Sequence, residues 1–365
     1  MAHKPLVKAI GVISGTSMDA IDVALVETDG DLEVRPGPRR GFSYPPAVRE
    51  MLFRVLDKPE VAKVEPLETA EAAVTAAFVD AIRRFMAEFA LQASEIGVIG
   101  LHGQTVYHRP EERFTRQLGR GARVAAELGI NTVDRFRHAD VASGGEGAPF
   151  APLYHRALAA KLPQPVMILN LGGVGNVTYI DGDTVLAFDT GPASALLDDF
   201  VMRRRGKTYD EDGKLAASGK ADAGLVRAFM DNPYFERRPP KSLDRNDFHR
   251  RAAGVEVLSD ADGAATLAAF TVESVVAALR HVPGRPVRWL VTGGGRQNAF
   301  FMRQLAGRLG VPVEPVEAVG WDGDFLEAQC FGYLAVRSLA GLPLSLPTTT
   351  GVPYPMPGGE LHRAA

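Results

Sequence analysis

The sequence predicts an α/β protein with two similar lobes, each built on a mixed β-sheet with flanking helices. Residues 10–25 form an apolar run, a turn of small residues and a second, alternating run, which is typical of a β-hairpin. Residues 166–180 repeat this pattern in the second half of the chain. The length of 365 residues is also more than one hydrophobic core usually fills.

The first half is expected to begin as a meander and to continue with helices. The helix near 66–90 follows from apolar side chains on one face, among them Val74, Phe78 and Ile82. The Pro45-Pro46 pair is expected to break the pattern before it. In chain order we expect strands near 7–14, 20–28 and 32–43, the helix near 66–90, a strand at 96–101, a short helix at 122–128 and a strand at 130–133.

The second half is expected to show the same order of strands and helices. We expect a helix at 151–161, a meander at 165–189, helices at 192–205 and 262–281, a strand at 287–292, a helix after 298 and a last helix at 324–339. The loop at 143–149 is the predicted crossing between lobes, and the Pro-rich tail should cover the surface or pack on the first lobe. The predicted first lobe is therefore 1–142 with about 343–365, the second is 143–342, and a ligand cleft lies between them.

Composition excludes several classes of protein. The net charge of −3 gives no basic field for nucleic acid. Cys330 is the single cysteine, so an intrachain disulfide is excluded and a reducing compartment is expected. The first residues lack a signal-peptide core, and no apolar run reaches the length of a membrane span. We therefore expect a cytoplasmic protein without nucleic-acid or membrane partners; a homodimer remains open.

The turn in the first hairpin has the composition of a phosphate site. Glycine and hydroxyl residues at 14–17 present backbone N–H groups and hydroxyls without bulk, which suits phosphate oxygens. Asp19 would repel a phosphate unless a cation lay between them, so the same turn indicates a metal site. An ordinary hairpin turn is the alternative interpretation.

Two elements of the second half are also candidates. Asp189 lies at the end of a predicted strand beside a helix N-terminus, where a carboxylate suits a Mg²⁺ site, a general base or simply a helix cap. Gly293, Gly294 and Gly295 follow an apolar strand and would let a flat ligand lie against the backbone. A tight strand-to-helix turn explains the three glycines equally well.

The segment from His102 to Arg109 follows a short strand, so its polar groups could line a pocket. The spacing of His102 and His108, without a third ligand nearby, argues against zinc, and a hydrogen-bonded structural role is the alternative for both. Glu327 lies near the start of a helix among apolar and small residues, and by itself it indicates a solvent-exposed acid.

In their order, these motifs resemble the anhydro-N-acetylmuramic acid kinase family, within the actin/hexokinase/Hsp70 superfamily, over nearly the whole chain. The ordered set is specific, although no single motif would be. The resemblance implies a two-lobed actin-like (ribonuclease H-like) ATPase fold. The matching motifs include Gly15-Thr-Ser-Met-Asp19 with Asp22, His102-Gly-Gln-Thr-Val106, Asn170-Leu-Gly-Gly-Val-Gly-Asn-Val-Thr178, Phe188-Asp-Thr-Gly-Pro192, Thr292-Gly-Gly-Gly295 with Asn298, and Glu327-Ala-Gln329.

The resemblance also implies roles for individual residues. Asp189 would be the catalytic base, Asp19 would hold the metal ion, and Gly293 to Gly295 would line the adenine side. His102, Gln104, Thr105 and Glu327 would contact the sugar. The ATP phosphates would be wrapped by Gly15, Thr16, Ser17, Met18, Asp19, Ala20, Ile21 and Asp22.

Similar enzymes use ATP and Mg²⁺ on 1,6-anhydro-N-acetylmuramic acid. They open the anhydro bridge with water and phosphorylate O6, which yields N-acetylmuramic acid 6-phosphate and ADP for cell-wall recycling. A kinase of another anhydro-sugar, such as levoglucosan, and a non-catalytic sugar-binding relative are the alternatives.

The chain departs from the family pattern near the presumed ligand contacts. The departures leave Asp189 and the first turn intact, so they bear on substrate identity more than on kinase chemistry. They are Ala20, Arg135, Glu146, the Ala193-Ser194 pair and Asp244.

Overall fold

The computed structural model describes residues 5–15, 18, 20–64, 66–243 and 248–364. The chain forms two compact units, one of residues 1–160 with 325–365 and one of residues 161–324. Each unit contains a β-sheet with helices, so the predicted α/β class is confirmed. The predicted boundaries placed 143–160 and 325–342 in the second lobe, whereas both segments pack in the first unit.

The strands and helices are numbered in chain order. The strands are β1 (Val7–Ser14), β2 (Ile21–Thr28), β3 (Val34–Phe42), β4 (Val98–Arg109), β5 (Phe114–Leu118), β6 (Thr132–Asp134), β7 (Val166–Leu171), β8 (Val174–Asp181), β9 (Thr184–Pro192), β10 (Arg288–Thr292), β11 (Val313–Pro315) and β12 (Glu360–His362). The helices are α1 (Pro46–Leu56), α2 (Pro59–Val64), α3 (Glu68–Glu88), α4 (Gly121–Leu128), α5 (His138–Ala142), α6 (Pro152–Ala159), α7 (Ser194–Arg205), α8 (Lys214–Ser218), α9 (Ala223–Met230), α10 (His249–Ala252), α11 (Asp260–Ala277), α12 (Ala299–Leu309) and α13 (Leu326–Leu339).

The sheet of the first unit has the order β12-β6-β4-β1-β2-β3, and β5 pairs with β4. β1 is antiparallel to β2 and parallel to β4. Ile10 and Val12 point to the face covered by α3 and share a core with Phe78. Because side chains alternate along a strand, Gly11 faces the opposite side, where α13 packs. The sheet is therefore buried on both faces.

The sheet of the second unit has the order β11-β10-β7-β8-β9. β7, β8 and β9 form the predicted antiparallel meander, and β10 lies parallel to β7. α11 packs against α7, α8, α9 and α12. Among the described residues, the segment Asp260–His281 alone is long and apolar enough to span a membrane, and most of it is buried as a core helix.

One local prediction was wrong for an identifiable reason, and another was incomplete. The strand expected at 96–101 continues to Arg109, because β5 pairs antiparallel with its second half. The Pro45-Pro46 pair ends the strand pattern as expected, since β3 stops at Phe42. Pro46 is also the first residue of α1, a helix that the sequence analysis did not predict, at a position where the missing N–H of proline has no cost.

Candidate functional site

The turn after β1 is held by hydrogen bonds within itself and from two other elements. The Gly15 carbonyl accepts the Met18 N–H at 3.1 Å and the Gln104 side-chain amide at 3.3 Å. Arg49 on α1 donates from Nε to the Met18 carbonyl at 3.2 Å. Met18 has a φ of 55°, in the left-handed region. The predicted phosphate turn is thus a tight turn anchored on β4 and α1, and Arg49 was not foreseen from the sequence.

Some of the predicted phosphate and metal residues lie outside the described residues, namely Thr16, Ser17 and Asp19. Ala20 precedes β2, whereas Ile21, which is buried, and Asp22, which is half-buried, begin it. Gln104 beside the turn is fully buried, and its Oε1 has no hydrogen-bond partner among the described residues. Since buried polar atoms normally have a partner, this oxygen is suited to bind a ligand, ion or water at the turn.

His102 occupies a bulge in β4. The pairing of β1 with β4 skips from Leu101 to Gly103, and Gly103 has a φ of 81°. The Nδ1 of His102 lies 2.9 Å from the Gly103 carbonyl, and its Nε2 lies 2.9 Å from Nε of Arg137. Arginine only donates, so Nε2 accepts and Nδ1 carries the proton. Burial and the nearby guanidinium keep the pKa of His102 well below its usual value, which leaves the ring neutral.

Arg137, which contacts His102, was not among the predicted site residues. It donates from Nη1 to the Gly147 carbonyl at 2.5 Å, and its guanidinium stacks 5.6 Å from the centre of the Phe150 ring. Glu327, in the first turn of α13, is exposed to solvent. Desolvation by the surrounding protein atoms raises the pKa of the Glu327 carboxyl, and the positive charge of Arg137 opposes this shift. Arg137 thus interacts with two neighbours, the neutral His102 through a hydrogen bond and the Glu327 carboxyl through its charge.

Glycines allow α13 to carry Glu327 to this position. A Cβ atom on Gly11 would lie 1.8 Å from the Ala328 carbonyl oxygen, and one on Gly100 would lie 2.0 Å from that of Phe331. Both distances are far below van der Waals contact, so only glycine permits α13 to lie this close to β1 and β4.

Thr105 and His108 have partners within the first unit. The Thr105 hydroxyl accepts a long bond of 3.4 Å from Gln117. His108 lies 3.0 Å from both the Thr115 hydroxyl and the Glu146 carbonyl, and burial lowers its pKa to about 4. His108 therefore has the structural role that the sequence offered as its alternative.

The departures from the family pattern occupy different environments. Arg135 lies on the surface in an ion pair with Glu360 at 3.0 Å, and Ser194 donates its hydroxyl to the Gly172 carbonyl at 2.8 Å. The Ala193 N–H donates to Gly173 at 3.0 Å. Asp244 lies outside the described residues.

One cluster has the composition of a metal site. Asp134, Glu360 and His362 bring ligand atoms within 4.8 Å of one another. The Asp134 carboxylate, however, already accepts the Gly121 N–H at 2.8 Å and faces His362 at 2.9 Å. These contacts give the cluster a structural role, because they attach β12 to β6.

Asp189 lies in β9 and is held by the segment that follows α9. Its N–H donates to the Lys241 carbonyl at 3.0 Å, and its Oδ2 accepts the Leu243 N–H at 2.9 Å. The Tyr234 hydroxyl donates to the Asp189 carbonyl at 2.7 Å. The N-cap of α7 is Ala193, so capping that helix does not account for Asp189.

Lys241 is a second residue that the motif analysis did not assign to the site. Its Nζ donates to the Tyr234 carbonyl at 2.9 Å and lies 4.5 Å from the centre of the Tyr234 ring and 5.7 Å from that of Phe188. Desolvation lowers the pKa of this buried lysine to about 8. The packed side chain therefore anchors the segment whose backbone contacts Asp189.

The three glycines after β10 are not equivalent. Cβ atoms on Gly293 and Gly295 would lie 2.3 Å from Asn170 Oδ1 and 2.5 Å from Leu171 Cβ. Those two glycines are therefore needed for packing against β7. Gly294 is exposed with no atom within 4 Å of its Cβ position, so it alone has the open space of a ligand contact.

Arg296, which follows the three glycines, stabilises their turn. It donates to the Gly293 carbonyl at 3.1 Å and pairs with Glu317 at 2.9 Å and Asp324 at 2.7 Å. The predicted residues thus divide between the units: Gln104 and Glu327 lie in the first, and Asp189 and Gly294 in the second.

Comparison with solved structures defines the class of fold. The crystal structure of component A of (R)-2-hydroxyglutaryl-CoA dehydratase from Acidaminococcus fermentans matches with a TM-score of 0.50 and 10% sequence identity. The match covers 92% of this chain and 99% of that one. The fold is the actin-like ATPase fold that the motifs predicted.

Comparison with sequences defines the family. The model of the family described as anhydro-N-acetylmuramic acid kinase matches residues 7–362. The anhydro-N-acetylmuramic acid kinase of Paramagnetospirillum magneticum is 52% identical, over 97% of this chain and 99% of that one. That of Rhizorhabdus wittichii is 47% identical, over 97% and 98%. The chain belongs to the anhydro-N-acetylmuramic acid kinase family, and it is a sugar kinase that uses ATP.

Proposed function

We propose that this kinase acts on 1,6-anhydro-N-acetylmuramic acid in the cytoplasm, and that Asp189 is its catalytic base. The supporting observation is that the Leu243 N–H donates to Oδ2 of Asp189 and so orients this carboxylate. Asp189 is also the first residue of the family's Asp-Thr-Gly-Pro motif. We call the hydrogen bonds that hold Asp189 the clamp. An oriented carboxylate is what general-base catalysis requires, because the base must lie within hydrogen-bond reach of the proton that it takes.

The reaction consists of two displacements, and in each of them one bond forms as another breaks. Water attacks C1 of the sugar while Asp189 takes its proton, and the bond between C1 and O6 breaks. O6 then bonds to the γ-phosphorus of ATP as the bond to the β-γ bridging oxygen breaks, and ADP leaves. Phosphoryl transfer depends mainly on positioning and charge neutralisation, so no covalent intermediate with the enzyme is required.

ATP would bind at the turn of residues 15–22 and at Gly294. The proposed metal ion is Mg²⁺, held by Asp19, and it would neutralise phosphate charge. The unpartnered Oε1 of Gln104 fits such a site, because Mg²⁺ prefers oxygen ligands and this atom lies beside the turn.

The sugar would bind on the first unit near Thr105, Gln104 and Glu327. His102 would serve this site indirectly, because both of its ring nitrogens are engaged by Gly103 and Arg137. Arg137 would take its place as the charged group facing the sugar, beside Glu327.

The test is turnover by Asp189→Asn in water enriched in ¹⁸O. Asparagine keeps the shape but cannot accept the proton, so the rate should fall by about 10²–10⁴-fold while ATP still binds. Asp181→Asn, at the exposed end of β8, is the matched control and should keep the wild-type rate. Wild-type product should carry the label at C1 and none in the phosphate.

Three results would contradict the proposal. Full turnover by Asp189→Asn would remove Asp189 as the base. Product without label at C1 would indicate an ordinary hydroxyl kinase. Faster turnover of levoglucosan, assayed in parallel, would reassign the substrate.

A further inference from the structure

The C-terminal segment after α13 packs in the first unit and contacts Asp140 before it reaches β12. Asp140 lies in α5 and is 1% exposed. Its Oδ2 accepts hydrogen bonds from the hydroxyls of Ser345 and Thr350, the latter at 2.6 Å. Both hydroxyl residues are buried. They come from positions 205 and 210 residues further along the chain, so this contact exists only in the folded protein.

The other oxygen of Asp140 holds the loop that follows α5. Its Oδ1 accepts the Gly147 N–H at 2.7 Å, and its main-chain carbonyl accepts the Gly145 N–H at 2.9 Å. A Cβ on Gly145 would lie 2.3 Å from Oδ1, so the loop packs directly on the carboxylate. The Glu146 N–H donates to the Thr350 carbonyl at 2.7 Å. The loop is therefore fixed by both Asp140 and the C-terminal segment.

The loop in turn fixes Arg137. The Gly147 carbonyl accepts from Nη1 of Arg137, while Nε of the same guanidinium is directed at His102. Two bonds from different nitrogens define the plane of a guanidinium, because the group is rigid and planar. Ser345 and Thr350 thus reach Arg137 through Asp140 and Gly147.

We propose that the C-terminal segment is a positioning element for the sugar site, acting through Thr350, Ser345 and Asp140 on the direction of the Arg137 guanidinium. It rests on the proposed function, since the sugar site is itself a proposal. Its distinctive consequence is that a hydroxyl in the tail affects sugar binding while ATP binding is unaffected.

Four variants test this inference. Thr350→Val keeps the shape of the side chain and removes the hydroxyl, and Thr350→Ser restores a hydroxyl. Thr266→Val is the matched control, because Thr266 is equally buried but lies on α11 of the other unit, bonded to Asp262 and Asp222. Ser345→Ala supplies an independent test should Thr350→Val not fold.

We expect Thr350→Val to raise the KM for the sugar about tenfold, from the loss of one buried bond to a charged group. The KM for ATP should stay within about twofold. Thr350→Ser should recover most of the loss. Thr266→Val should lower the melting temperature without changing the KM for the sugar. Equal sugar KM values in the two valine variants would show that the tail is only structural and would overturn the proposal.

A measurement without sugar separates this inference from the proposed function. The NMR signal of the Arg137 Nε–H, assigned by its loss in Arg137→Lys, should shift in Thr350→Val and return in Thr350→Ser. An unmoved signal overturns the positioning role even if the enzyme is active. A shifted signal in a protein that does not phosphorylate the anhydro-sugar supports the coupling to Arg137 and contradicts only the proposed substrate.

Discussion

At the scale of single residues, the chain controls its charged groups through main-chain atoms. The carboxylate of Asp189 is oriented by a peptide N–H, and its own carbonyl accepts the Tyr234 hydroxyl. Arg137 is aimed by a peptide carbonyl and by a neutral histidine. Main-chain partners do not titrate near neutral pH, and burial keeps the pKa of His102 well below its usual value, so these orientations persist over the range in which a kinase works.

Tyr234→Phe tests the clamp on Asp189. Removing the hydroxyl leaves the ring packing on Lys241 but deletes one bond to the Asp189 carbonyl, worth about 1 kcal/mol. We expect kcat to fall about three- to tenfold with little change in the KM for ATP. Tyr209→Phe, at an exposed tyrosine of the same unit, is the control. An unchanged kcat in Tyr234→Phe would show that the clamp is redundant.

At the scale of elements, the close approach of α13 to the first sheet decides where Glu327 lies. Gly11 and Gly100 lie on adjacent, paired strands and both face the helix backbone. A helix that packs on side chains would stand several ångströms further from the sheet. Because Gly11 and Gly100 have no side chains, α13 lies close to the sheet, and Glu327 in its first turn comes near Arg137.

A pair of glycine-to-alanine substitutions measures this packing. Gly11→Ala places a methyl group 1.8 Å from a backbone oxygen, so α13 must move, and we expect a loss of several kcal/mol. Gly307→Ala lies on the exposed face of α12 with no atom within 4 Å of the new methyl. It should stabilise by about 0.5–1 kcal/mol, because alanine is the better helix former. Urea unfolding of both variants measures the contrast; a neutral Gly11→Ala would contradict the packing account.

At the scale of the whole molecule, the chain builds its first unit from both ends of the sequence. α13, the tail and β12 all join the unit begun by β1, and the second unit is inserted between them. The first unit also contains a buried ionisable group that is held in the neutral state. His155 on α6 is buried, and desolvation lowers its pKa to about 4.

This histidine predicts an acid-sensitive fold. The unfolded chain binds a proton at His155 below its usual pKa of about 6.5, whereas the folded protein resists protonation until about pH 4. The stabilisation is complete above pH 6.5 and is lost as the pH falls through that window. The full difference corresponds to about 3 kcal/mol.

Melting temperatures across this pH range test the assignment. The wild-type protein should lose more stability than His155→Gln between pH 6.5 and 4.5, because glutamine does not titrate. The two proteins should behave in parallel between pH 6.5 and 7.5. Parallel curves at acid pH as well would mean that His155 is not the group responsible.

Elements with local signals could be predicted from the amino-acid sequence. The β-hairpin before and after Gly15, the apolar face of α3 and a strand that contains Asp189 were all predicted, although that strand continues past Asp189 to Pro192. The order of short motifs along the chain was enough to identify the family. These features depend on residues close together in sequence, so periodicity and turn composition encode them.

The assembly of the candidate site depends on contacts between distant parts of the chain. The tautomer of His102 depends on Arg137, 35 residues away, and the Asp140 contact depends on Thr350, 210 residues away. The packing of α13 on the first sheet depends on Gly11 and Gly100, where a side chain would clash with the helix backbone. The need for glycine at these positions is visible only once the helix lies against them. Such contacts arise from the packing of distant elements, and no local pattern in the sequence specifies which elements will meet.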